Sequence, residues 1–224
     1  MPLPTPSAIP LEALGPWLAL VAFGAYHGLN PGMGWLFALS LGLQRKSERA
    51  VWGSLAPIAL GHAASVTSVA ILVTAGLRFV SMTTLQWLSA LVLIAFGIYK
   101  LFNYYRHPRW VGMNVGGRDL VVWSFLMATA HGAGLMIVPA LLGVTATQQH
   151  APHMAMTTAM PHGTSAILAV GVHTLAMLVV MGLVAWTVYK KLGLAVLRQR
   201  WINFDLIWAG ALLAVGGITL VMAL

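Results

Sequence analysis

Six runs of apolar residues, each long enough to cross a bilayer, dominate this 224-residue chain: Pro16 to Leu43, Gly53 to Leu77, Thr84 to Tyr104, Leu120 to Val144, Ser165 to Tyr189 and Phe204 to Ala223. A hydrocarbon core about 30 Å thick takes roughly 20 helical residues to span. Within it, every backbone amide and carbonyl has to find a partner inside the protein, which a helix provides. The pattern predicts an all-α membrane protein with six transmembrane helices. Charged residues make up only 7 % of the chain and hydrophobic ones 59 %, against about a quarter charged in ordinary soluble domains. A water-facing globule is therefore excluded.

The first run is over-long and contains Asn30-Pro31-Gly32-Met33-Gly34. Proline withholds an amide donor and the glycines loosen the backbone, so this first helix is expected to be broken. Pro57 and Pro139 are expected to kink two others. Arg45, Lys46 and Arg49, then Lys100, Arg106, Arg109 and Arg118, then Lys190, Lys191, Arg198 and Arg200 lie on alternate connections, leaving Arg78 alone on the other side. The net charge of +8 is thus an orientation signal rather than a nucleic-acid surface. The positive-inside rule makes those connections cytoplasmic and both termini external, as in a multi-pass protein of the cell (inner) membrane. Trp52, Tyr104, Tyr105, Trp123, Trp186, Tyr189 and Trp201 lie near run ends, where an interfacial belt would put them. Residues 1–15, with Pro2, Pro4, Pro6 and Pro10, read as a short external tail without the basic start of a cleavable signal peptide.

The halves of the chain repeat. Ala25-Tyr26-His27-Gly28 in the first run matches Thr129-Ala130-His131-Gly132 in the fourth; Gly61-His62-Ala63 in the second matches Val172-His173-Thr174 in the fifth; and Gly97 in the third matches Gly216 in the sixth. Counting back eleven positions from those glycines reaches a second polar pair, Gln86 and Asp205. The matched spacings are 35 and 35 in the first half and 42 and 43 in the second. This predicts two three-helix repeats, 16–104 and 120–223, joined by a cytoplasmic loop at 105–119. Three spans is an odd number, so the second repeat enters from the opposite face, an inverted-topology arrangement common in secondary transporters.

At 1.5 Å per helical residue, His27, His62, His131 and His173 fall roughly 12 to 17 Å into their runs, near the middle of the bilayer. Intramembrane ionisable groups usually face a bundle interior or a wet cavity and mark function. The plainer alternative is that each ring hydrogen-bonds a neighbouring helix. The chain has no cysteine, so transition-metal chemistry would rest on His, Met, Asn or carboxylate. Asn30, three residues beyond His27, and Met33, beyond the break, complete the candidate metal ligands, whereas Met177 and Met181 read as packing. The external segment 145–164 carries His150, His153, Met154, Met156, Met160 and His162. It reads equally well as an auxiliary metal-capture loop suited to copper, nickel, cobalt or zinc and as a polar loop that is merely Met-rich.

His27-Gly28-Leu29-Asn30-Pro31-Gly32-Met33-Gly34 resembles the first-helix motif of the NicO-type nickel/cobalt transporters, His-Ala-Leu-X-Pro-Gly-His-Gly. Gly61-His62-Ala63-Ala64-Ser65-Val66 looks like that family's second-helix histidine followed by Ser-Val. Six spans as two inverted triplets match the wider LysE-like superfamily. Met33 stands where the family has its second histidine, Trp35 where a lysine often follows, and the His-Asp motif of nickel permeases is missing. These departures move the ligand set toward softer metals. The resemblance implies a secondary transporter, not an enzyme, that takes a transition-metal ion as substrate and holds no resident cofactor. Since protonated imidazole cannot ligate, proton coupling follows. The partners would be the lipid bilayer, the metal ion and protons, with no nucleic acid and with room for a homo-oligomer. The alternatives are a b-type haem protein with paired axial histidines and a LysE-like exporter of a small organic or anionic solute. An intramembrane metal hydrolase is disfavoured because the spans offer almost no carboxylate to act as acid or base.

Overall fold

The computed structural model describes residues 11–103, 116–149, 162–192 and 203–224. The elements are α1 (Leu11–Leu29), a 3-10 turn (Pro31–Met33), α2 (Trp35–Gln44), α3 (Glu48–Gly76), α4 (Met82–Phe102), α5 (Gly117–His131), α6 (Ala133–Gln149), α7 (His162–Thr187), a π-turn (Val188–Leu192) and α8 (Phe204–Ala223). No strand occurs among the described residues. Four helices, α3, α4, α7 and α8, are long and apolar enough to cross a membrane, and α5 with α6, bent by 68°, makes a fifth crossing if the pair is one span. The chain is thus an all-helical protein with the helices of a multi-pass membrane protein. His150, His153, Met154, Met156 and Met160 lie outside the described residues, as do the tail 1–10 and most of the 105–119 loop; His162 opens α7, but its side chain is likewise outside them.

The first run breaks where expected. Pro31 has no amide to offer the preceding turn, and the Asn30 side chain takes up the Gly32 amide at 2.9 Å, which starts the 3-10 turn. Gly34 then adopts φ +133°, a conformation open to glycine, and α2 begins. Both resulting helices are short.

The fourth run, expected to be one helix kinked at Pro139, is instead divided at Gly132. That residue adopts the left-handed φ of +69° and caps α5 with its amide directed at Ala128 and Thr129, while Pro139 lies inside α6. The physical reason is local. A glycine that can turn left-handed ends a helix more readily than a proline whose ring is accommodated by a neighbouring helix. Pro57 is likewise carried inside α3.

Packing pairs α1 with α7, α3 with α5 and α4 with α8, and also sets α3 against α7. Small residues make these approaches close. A Cβ on Gly24 would collide with the His173 carbonyl, one on Gly28 with the Met177 carbonyl, and one on Gly61 with the Val121 carbonyl. The α4–α8 contact is reciprocal: Gly97 faces Leu213 at 2.8 Å from where its Cβ would stand, and Gly216 faces Ile94 at 2.8 Å. At one end of the bundle Glu48 pairs with Lys190 and accepts the Trp186 indole N–H at 3.1 Å. The start of α3 therefore lies beside the end of α7, which brings Arg45, Lys46 and Arg49 to the same end as Lys190 and Lys191.

These contacts predict opposite outcomes for two single-methyl changes. Gly61→Ala puts a methyl against a fixed carbonyl and is expected to cost roughly 1–3 kcal/mol, seen as a lowered melting temperature in detergent. Gly171→Ala, with nothing within 4 Å of its new methyl, is expected to leave that temperature unchanged or raise it.

Candidate functional site

Three of the four candidate histidines meet in the interior. His27 comes from the last turn of α1, His62 from the middle of α3 and His173 from α7, and all three are at most 1 % exposed. Their ring centroids form a triangle with sides of 5.4 Å (His27–His62), 4.9 Å (His27–His173) and 5.5 Å (His62–His173).

Backbone carbonyls fix where the ring protons sit. A carbonyl only accepts, so Nδ1–H of His27 donates to Phe23 O at 2.7 Å and Nδ1–H of His173 donates to Leu20 O at 3.3 Å. A neutral ring protonated at Nδ1 presents a lone pair at Nε2. His62 Nε2 lies 3.3 Å from His173 Nε2, so the His62 proton is at Nε2 and donates to that lone pair. His27 Nε2 and His62 Nδ1 are buried without a partner. Anchoring of one ring nitrogen to a carbonyl while the other points inward is the arrangement that orients histidine ligands in metal sites.

The His62–His173 separation has a further meaning. Two nitrogens bound at 2.0–2.1 Å to one tetrahedral ion stand roughly 3.3–3.4 Å apart. These two rings already span such an edge. No group of three or more His, Asp or Glu side chains among the described residues converges on a single ion position. Loading therefore requires His62 to move its proton to Nδ1 and His27 to turn its lone pair onto the pair.

His131, the fourth, ends α5 as His27 ends α1. Its Nδ1–H donates to Met127 O at 2.9 Å, the same i−4 bond that His27 makes. Trp208 of α8, fully buried, stands against both rings, with centroids 4.5 Å from His27 and 6.2 Å from His131, and its indole N–H donates to the His131 carbonyl. Tyr26 stacks on Trp208 at 5.4 Å. Asn30 caps the 3-10 turn through Oδ1 and keeps a buried, unpartnered Nδ2. Met33 sits in an apolar cluster with Trp35, Leu39, Ile58, Met177 and Met181. The structure thus gathers three of the expected ligands, sets His131 and Asn30 beside them, and buries Met33 in packing.

Sequence reasoning missed Trp208 and Tyr26. Position gave no signal: Trp208 lies four residues into α8, whereas Trp123, assigned to the belt, lies six into α5. Ser65 and Thr129, bonded at 2.9 Å, and Ser124, donating to Ile58 O at 2.8 Å, join α3 to α5 alongside.

The chain's four acidic residues, Glu12, Glu48, Asp119 and Asp205, all fall within the first three residues of a helix. The two helix breaks approach each other beside the histidines: a Cβ on Gly32 would lie 3.6 Å from the His131 ring. At each break a helix C-terminus, with its partial negative charge, is followed within a few residues by the partly positive N-terminus of α2 or α6. Comparison with protein-family models, curated proteins and solved structures gives no match.

Spectroscopy can check the proton positions. In 15N-histidine-labelled protein at neutral pH, His27, His131 and His173 are expected as the Nδ1-protonated tautomer and His62 as the Nε2-protonated one. Nε2-protonated signals for His27 and His131 would contradict the site as described.

Proposed function

We propose that this protein is a secondary transporter for a transition-metal cation, with nickel, cobalt, copper and zinc as the substrate class, bound among His27, His62 and His173 with His131 nearby. The observation that carries this reading is the trio itself: buried neutral imidazoles, two of them anchored by backbone carbonyls, with two nitrogens already at a tetrahedral edge. Protonation of the same rings would release the ion, which makes coupling to protons the natural mechanism.

The transport architecture in this proposal is six spans in two inverted repeats, with α1 and α2 as one broken span and α5 and α6 as its counterpart. Its support is the exchange of partners, α1 with α7 and α3 with α5, and the reciprocal Gly97 and Gly216 contacts. Basic connections at the Glu48–Lys190 end support a cytoplasmic assignment for that end in the cell membrane, with both termini external. A NicO-type relationship rests on the first-helix and second-helix motifs, and the His150–His162 segment is a candidate capture loop at the outer face.

The haem alternative has less support, because His62 and His173 bond each other directly at 3.3 Å and leave no gap for a macrocycle between them.

The test is flux of Ni2+, Co2+, Zn2+ and Cu+ into proteoliposomes by the wild type, His62→Ala and His173→Ala. Each variant is expected to lose at least tenfold of the flux of the transported ion. Affinity is expected to fall as pH is lowered, since protons compete for the ring nitrogens. Flux unchanged in both variants, or affinity independent of pH, would refute the site.

A further inference from the structure

The four histidines are related in pairs, yet they are not used equally. His62 and His173 match each other between the halves of the chain and meet directly, Nε2 to Nε2. A residue that contacts its own counterpart lies on the axis relating the two halves. His27 and His131 are the other matched pair, with identical i−4 bonds at the ends of α1 and α5. His27 stands against the axial pair, at 5.4 Å from His62 and 4.9 Å from His173. His131 stands against Trp208, at 6.2 Å.

Trp208 has no equivalent in the first half. It lies eight residues before Gly216, and the residue eight before Gly97 is Ser89. The indole is fully buried, presses on His27 at 4.5 Å, and ties down the His131 carbonyl through its N–H. That carbonyl is exposed by the helix break at Gly132, the one place where α5 and α6 can change their angle.

We propose that the metal site is a three-of-four histidine site, in which His62 and His173 are permanent ligands, His27 becomes the third ligand by turning its ring onto the pair in one access state, and His131 takes its place in the opposite-facing one. Trp208 is the positioning residue that holds His131 away from the pair. The inference rests on the metal-transport reading above. In this scheme the ion stays on the axis while the two broken helices exchange a ligand as access alternates, and a serine at 208 makes the second half resemble the first.

Co2+ serves as the probe, because its d–d absorption reports ligation directly. Binding to the purified protein and net flux into proteoliposomes are measured side by side. His27→Ala is expected to weaken binding at least tenfold. His131→Ala is expected to bind within about threefold of wild type yet to lose at least tenfold of net flux, since half the cycle lacks its ligand. The double variant His27→Ala/Trp208→Ser is expected to regain binding, and adding His131→Ala is expected to abolish that gain. If Trp208→Ser does not fold, Trp208→Phe, which removes the indole N–H and shrinks the ring, replaces it, with a regain of at least threefold expected. Equal loss of binding in His27→Ala and His131→Ala would show four simultaneous ligands and overturn the exchange. So would normal flux in His131→Ala, or no regain in a folded double variant. A wild type that neither binds nor moves any of Ni2+, Co2+, Zn2+ and Cu+ would overturn the transport reading itself, a result separate from any of these.

Discussion

A backbone carbonyl left without a donor inside a membrane protein costs several kcal/mol, and this chain interrupts two apolar helices in its interior. How those interruptions are closed governs everything built on them. At the first, the Asn30 side chain engages the Gly32 amide, and the Trp35 indole donates to the Leu29 carbonyl at 3.1 Å. At the second, Gly132 turns back onto Ala128 and Thr129, and the Trp208 indole donates to the His131 carbonyl. Each break therefore has an indole on a carbonyl that the helix no longer serves. The breaks are thus closed features, with their carbonyls served.

The same breaks explain the placement of the histidines. In the last turn of a helix, a histidine ring can reach back to the carbonyl four residues earlier, as His27 does to Phe23 and His131 to Met127. That bond consumes the Nδ1 proton and turns Nε2 inward. His62 and His173 sit mid-helix and depend on tertiary partners: each other, and for His173 the Leu20 carbonyl on α1. Burial of two ring nitrogens without a partner, His27 Nε2 and His62 Nδ1, is costly for stability.

Much of this was legible from residue order. The break at Asn30-Pro31-Gly32 follows from proline chemistry, and the histidine pairs from direct comparison of the halves. The break at Gly132 was not read, because a lone glycine in an apolar run usually continues a helix, and only its φ of +69° shows that it ends one. Met33, a candidate ligand by its motif position, closes the 3-10 turn and packs with Trp35 and Ile58, contacts that residue order alone does not reveal. Trp208 was passed over because sequence spacing carries no information on which helix α8 will meet.

The sequence by itself determined the helical class, the length and apolarity of the helices, the location of one break and the identity of the four paired histidines. These depend on local composition and periodicity, which act over a few turns of helix. Tertiary structure alone decided which three rings meet, which nitrogen of each carries the proton, and that Trp208 stands against both His27 and His131. Those outcomes depend on the approach of α1 to α7 and of α3 to α5 through Gly24, Gly28 and Gly61. Contacts between residues more than a hundred positions apart are set by how whole helix surfaces fit, and no short stretch of sequence contains that fit.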